Sequence, residues 1–127
     1  MIFTKNFHPD SDIKLLCTCG HPDCDERSVS QEHLNRIQNT RIILNHSMAV
    51  TSGGRCPNHP NEINKLHPAD HQKGMGIDIS CHGVTRGNIM IAGYKAGCNA
   101  FGIAKTFVHL GYRAETKKGH TTMWTYS

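Results

Sequence analysis

The sequence predicts one α+β domain, residues 1–127, in which a small antiparallel sheet packs against two main helices. Three observations predict it. Two segments carry apolar residues at helical spacing behind a capping side chain, and several short segments alternate apolar with polar residues as half-buried strands do. The composition agrees, with 37% hydrophobic residues and 12 glycines, which suits a loop-rich domain better than a helical bundle. A chain of 127 residues falls within the usual domain range of about 100–150 residues and can bury one core.

The elements follow in order. Residues 1–27 are polar and punctuated by Gly20 and Pro22, so they read as loop with short structure. Ser28 and Ser30 offer N-cap oxygens, with Gln31 three residues after Ser28 as in a capping box. Leu34, Ile37 and Leu44 then place an apolar stripe on a helix from about Ser30. Residues 47–52 form a short strand ended by Gly53-Gly54, and residues 61–65 a helical turn before Pro68. Gly76 to Ser80 alternates as a strand. Thr85 caps a second helix that buries Ile89, Met90, Ala92, Tyr94 and Ala96 and stops at Gly97. Residues 107–112 and 121–126 read as two strands joined by a Lys-rich turn at 117–119.

Charge and length exclude several function classes. The formal charge is +4 and the 14 Lys and Arg are scattered, so the basic clustering of a nucleic-acid footprint is missing. No apolar run approaches the ~18 residues of a membrane span. The first twelve residues lack the apolar core of a secretory leader, which predicts synthesis in the cytoplasm. A monomer is expected. Six Cys and ten His are an excess of metal-binding side chains, and without a leader metal or free thiol precedes a disulfide framework as the first reading.

The strongest local signal is His71-Gln-Lys-Gly74-Met-Gly76-Ile-Asp78. Imidazole and carboxylate are the ligands of a catalytic zinc that keeps one position open for water. Gly74 and Gly76 let the chain turn so that His71 and Asp78 converge. Asp78 lies between Ile77 and Ile79, and His109 between Val108 and Leu110. Strand alternation turns those apolar neighbours to the core and leaves both polar side chains on the opposite face.

Taken together, Ser52-Gly-Gly-Arg55-Cys-Pro57, His71-x-x-Gly74-x-Gly76-x-Asp78 and Phe107-Val-His109 resemble the zinc D-alanyl-D-alanine carboxypeptidases and L-alanyl-D-glutamate endopeptidases. Many of these are phage endolysins, and their fold is shared with the hedgehog signalling domain. Cys17-Thr-Cys19-Gly and Trp124-Thr-Tyr126 look like the short single-domain phage branch. The resemblance implies a zinc ion on His71, Asp78 and His109, and a substrate-facing Arg55 that stabilises an oxyanion, with Ser52 either orienting the loop or touching substrate. It implies a peptidoglycan stem peptide as substrate, reached after lysis or by a phage-encoded route.

Three departures from the family pattern bear on the chemistry. Ala69 stands where the family often has Ser, and Gly76 where it has Ala. The family's proton-carrying carboxylate is replaced by Thr106 in one version of the pattern and by Gly111 in the other. His120, Asp70 and Glu115 are the substitutes the sequence offers, and a carboxylate restored at 111 is expected to face the metal. A catalytically silent zinc module that binds wall or protein is the second reading. Cys17, Cys19, Cys24 and Cys56 form a further group: a structural metal site, a disulfide such as Cys17 or Cys19 to Cys56, or free thiols. Cys81 and Cys98 are expected as small buried hydrophobes.

Overall fold

Ser30 opens the first helix of the computed structural model, which describes residues 2–81 and 84–126. Its Oγ accepts from His33 N, and α1 runs Gln31–Leu44 before Asn45 stops it in the left-handed region at φ 54°. The capping box expected from Ser28 does not form. Ser28 Oγ donates to Val29 O instead, while Gln31 ties down the N-terminal segment through Phe3 N and Phe3 O. Thr85 caps the second helix, α2 at Arg86–Lys95, and Gly97 follows with φ +106°. Ile89, Ala92 and Gly93 face inward, but Tyr94 is exposed, contrary to the expected face. At 3.6 residues per turn, position 94 lies about 140° around the helix from position 89.

Five strands form one sheet: β1 Val50–Ser52, β2 Gly76–Ser80, β3 Ala100–Ile103, β4 Phe107–Gly111 and β5 Thr122–Thr125. Their order is β1-β2-β4-β3-β5. The first three pairings are antiparallel, whereas β3 and β5 run parallel, so the sheet is mixed rather than antiparallel. The two strands expected to flank the Lys-rich turn are therefore not neighbours. The turn forms, with His120 N on Lys117 O, but the chain passes around β3 before β5 docks. β3 escaped the sequence reading because it is four residues long and carries Gly102 in its middle.

Strand alternation divides the sheet into two faces. Ile77, Ile79, Phe101, Val108 and Leu110 pack with Leu34, Ile37 and Ile89 into one core beneath α1 and α2. His33 belongs to that buried layer, and its Nε2 donates to Leu110 O at 3.0 Å. The other face carries the polar residues. A bulge in β1 brings Ser52 into register with Asp78, and the register then runs Asp78 to His109 to Gly102 to Trp124. That transverse row crosses all five strands.

The N-terminal segment holds a single turn of 3-10 helix at Ile13–Leu15 and a bridge between Leu16 and Ser28. It supports the loop after β1. Gly54 N donates to Leu15 O, and a Cβ on Gly53 would lie 2.7 Å from the Leu15 backbone. Among the described residues no helix is long and apolar enough to cross a membrane.

Candidate metal centre

His71, Asp78 and His109 converge as their pattern predicts, and all three are buried. His71 Nε2 lies 3.2 Å from Asp78 Oδ1, and His109 Nδ1 lies 3.0 Å from the same oxygen. The two ring nitrogens are 3.1 Å apart. Each ring is also held from behind. His71 Nδ1 meets Gly53 O at 2.7 Å and His109 Nε2 meets Asp70 Oδ2 at 2.9 Å.

These outer partners decide the chemistry of the inner atoms. A carbonyl and a carboxylate only accept, so the proton of each neutral imidazole sits on the outer nitrogen. The inner nitrogens and Asp78 Oδ1 then present lone pairs to one another at hydrogen-bond distance. Such an arrangement requires a positive charge among them, and a metal ion with histidine and carboxylate ligands fits it. Without metal, a second proton on His109 serves the same end. Burial alone would lower the His109 pKa, but Asp70 and Asp78 raise it above the usual histidine value. Burial would raise the Asp78 carboxyl, yet His109 and His71 hold it well below the usual carboxylate range.

Arg55 reaches the centre from the loop after β1. Its Nη2 lies 3.5 Å from Asp78 Oδ2, its Nη1 3.3 Å from Glu62 Oε2, and its Nε and Nη2 donate to Ser52 Oγ. Ser52 and Arg55 thus stand together. Glu62 was not anticipated. It sits in the turn at 59–65, is 1% exposed, also pairs with Lys65, and leaves Oε1 without a hydrogen-bond partner among the described residues. No local pattern marks it, because only the tertiary fold brings that turn against Arg55.

The place of the missing carboxylate is filled by Asp70. Gly76 and Gly111 face each other in register on β2 and β4, and the Asp70 side chain lies over the pair. A Cβ on Gly111 would stand 2.6 Å from Asp70 Oδ2 and 2.8 Å from His109 Nε2; one on Gly76 would stand 2.8 Å from Asp70 Cβ. Position 111 thus faces a ring nitrogen of His109, on the side expected, but a carboxylate placed there would find its space already taken by Asp70. Gly76 is likewise not interchangeable with Ala here. The paired glycines were the sequence signal, but it becomes readable only once the strand register is known. Arg113, also unanticipated, donates to Asp70 Oδ1 at 2.9 Å.

Of the other residues named from sequence, Thr106 gives its backbone carbonyl to Cys81 N. His120 is exposed and lines a cavity with Tyr94, Asn99 and Tyr112, and it is not brought to the three ligands. The reading of His120 as a catalytic residue has no support in this placement, because the cavity it lines includes none of His71, Asp78 and His109. Glu115 is exposed and shares a second cavity with Asp70 and Arg113. Trp124 and Tyr126 close one side of the centre. The Trp124 ring lies 5.2 Å from that of His109, and Arg113 lies over the indole. Gly102 leaves room for it, since a Cβ there would be 2.7 Å from Trp124 Nε1.

The second group also assembles. Cys17, Cys19, Cys24 and Cys56 place their sulfurs within 4.8 Å of one another, and none is in a disulfide. Cys98 is buried in the core as expected, whereas Cys81 is only half-buried at its margin.

A family model described as Peptidase M15 matches residues 5–111, which include every residue of the metal centre and of its Arg55 and Asp70 supports. Among curated proteins and among solved structures, nothing matches the chain.

Proposed function

The chain belongs to the peptidase M15 family, whose peptidases are zinc-dependent, and on that premise we propose that it hydrolyses peptide bonds in the stem peptides of bacterial peptidoglycan. The observation that carries the reading is the facing of three lone pairs from His71, Asp78 and His109, which calls for a cation where a peptidase needs one. These residues would hold zinc, which supplies Lewis acidity toward a peptide carbonyl and acidifies water.

The chain's own residues then divide the remaining tasks. Asp70 fixes the His109 tautomer, and Gly53 O fixes that of His71. Arg55 holds Asp78 Oδ2 and sets a permanent positive charge beside the centre, where it favours an oxyanion or a substrate carboxylate. Ser52 orients the guanidinium from the edge strand. Trp124 and Tyr126 offer an aromatic wall to the rest of the substrate. The wall as target rests on the motif resemblance and suits the formal charge of +4. On this reading the protein acts there as a phage-type lysin, after lysis or through a phage-encoded route.

Incubating purified peptidoglycan with the protein, with and without a chelator, tests the proposal. Zinc-loaded protein should release peptide fragments, and chelation or His71→Ala should abolish release. Mass spectrometry of the fragments identifies the bond cut. Protein that sediments with wall material yet releases nothing would replace this reading with that of a binding module.

A further inference from the structure

We propose that Cys17, Cys19, Cys24 and Cys56 bind a second zinc ion in a closed four-thiolate site, separate from the histidine–aspartate centre and structural in role. The four sulfurs come from two distant stretches of chain and still gather within 4.8 Å. Four ligands at a Zn–S distance of about 2.3 Å stand about 3.8 Å apart along the edges of a tetrahedron. Cys19 Sγ and Cys56 Sγ are 3.6 Å apart, close to that edge and far beyond the ~2.05 Å of a disulfide.

The local backbone is shaped for thiolates. Cys24 closes a turn with its N–H on His21 O, and Glu26 then takes a left-handed conformation at φ 53°. That conformation aims Glu26 N at Cys24 Sγ, 3.4 Å away, a donor that stabilises charge on the sulfur. Cys17 and Cys56 are buried while Cys19 and Cys24 are half-buried, so an ion among them is sheltered without being sealed off from entry. Four soft donors and no oxygen ligand select zinc over magnesium or calcium, and a full set of four leaves no open position for substrate.

Such a site would clasp the N-terminal segment to the loop that carries Arg55. Cys56 directly follows Arg55, whose N–H donates to His71 O and whose side chain reaches Asp78. Only this last consequence, a fixed Arg55, rests on the peptidase reading; the metal site does not.

Full-length protein purified under reducing conditions decides the matter. Elemental analysis should find two zinc ions per chain, and the His71→Ala/His109→Ala variant should keep one. Cobalt exchanged into either protein should show an intense thiolate-to-metal charge-transfer band, which the histidine–aspartate centre cannot produce. Cys24→Ser, with three thiolates left, should weaken that band and loosen the metal, and Cys81→Ser should leave both unchanged. Because wild type alone carries the spectroscopic test, misfolding of a variant leaves it intact. Absence of the band in wild type, or alkylation and mass spectrometry showing the four cysteines as disulfides in metal-free protein, would overturn the proposal. Neither result depends on whether the protein cleaves peptidoglycan.

Discussion

Asp70 Oδ2 hydrogen-bonds His109 Nε2 at 2.9 Å, from the space that a side chain at position 111 would need. A carboxylate that orients a metal-ligating histidine typically contributes 10–100-fold in metal affinity. Asp70→Ala should therefore weaken zinc binding about 10-fold or more, measured by competition against a chelator of known affinity. Gly111→Asp alone should destabilise the protein, since two carboxylates would crowd one place. The double variant Asp70→Ala/Gly111→Asp should recover much of the lost affinity. If the double variant binds zinc no better than Asp70→Ala, the two positions are not exchangeable supports of His109.

Arg55 and Glu62 form a buried pair, with side chains 13% and 0% exposed. Arg55→Ala strips the carboxylate of its more buried partner and leaves it Lys65, so stability should fall by about 3 kcal/mol. Turnover should fall by about 10²-fold if the guanidinium also faces the reacting carbonyl. Arg55→Ala/Glu62→Gln should regain stability in urea titrations without regaining activity. Recovery of both together would show that Arg55 serves folding alone.

Gly102 matters for what it leaves open. Ala at this position drives a methyl group into the Trp124 indole and the Tyr126 ring. Gly102→Ala should displace Trp124 and raise KM for wall fragments more than it lowers kcat. Trp124 is the one tryptophan of the chain, so its fluorescence reads the displacement directly. An unchanged emission spectrum together with an unchanged KM would show that the aromatic wall does not depend on this glycine.

His33 gives a pH dependence whose sign can be worked out. Burial pushes its pKa down to about 4 from the ordinary 6.5. The unfolded chain therefore takes up a proton between those values while the folded chain does not. Stability is lost as pH falls from 6.5 toward 4, by about 3 kcal/mol at most. His33→Gln keeps a donor for Leu110 O and should flatten that part of the curve in metal-free protein. Parallel pH profiles for wild type and variant would refute the assignment.

Much of this was legible in the sequence, for identifiable reasons. Asp78 and His109 could be placed because each sits between two large apolar residues, and alternation leaves such a side chain one direction to point. α1 and α2 were legible from Ser30, Thr85 and Gly97. What remained hidden depends on partners that no local pattern links. Glu62 and Arg113 gain meaning only from Arg55 and Asp70, which lie 7 and 43 residues away. The parallel docking of β5 on β3 leaves no local trace, so the Lys-rich turn suggested a hairpin that the fold does not make. Asp70 was visible as a carboxylate, but its role emerges only when Gly76 and Gly111 are seen side by side.

The order β1-β2-β4-β3-β5 puts the ligand-bearing strands β2 and β4 inside the sheet, and leaves Ser52 and Trp124 on its two edges. Interior strands open only with most of the fold, whereas edge strands fray with a few residues. In hydrogen exchange, amides of residues 77–79 and 108–110 should be the last to pick up deuterium, and those of β1 and β5 among the first. Two rhythms of motion then coexist a few ångströms apart. Asp78 and His109 are thereby carried by the part of the sheet that opens last, between margins that open sooner.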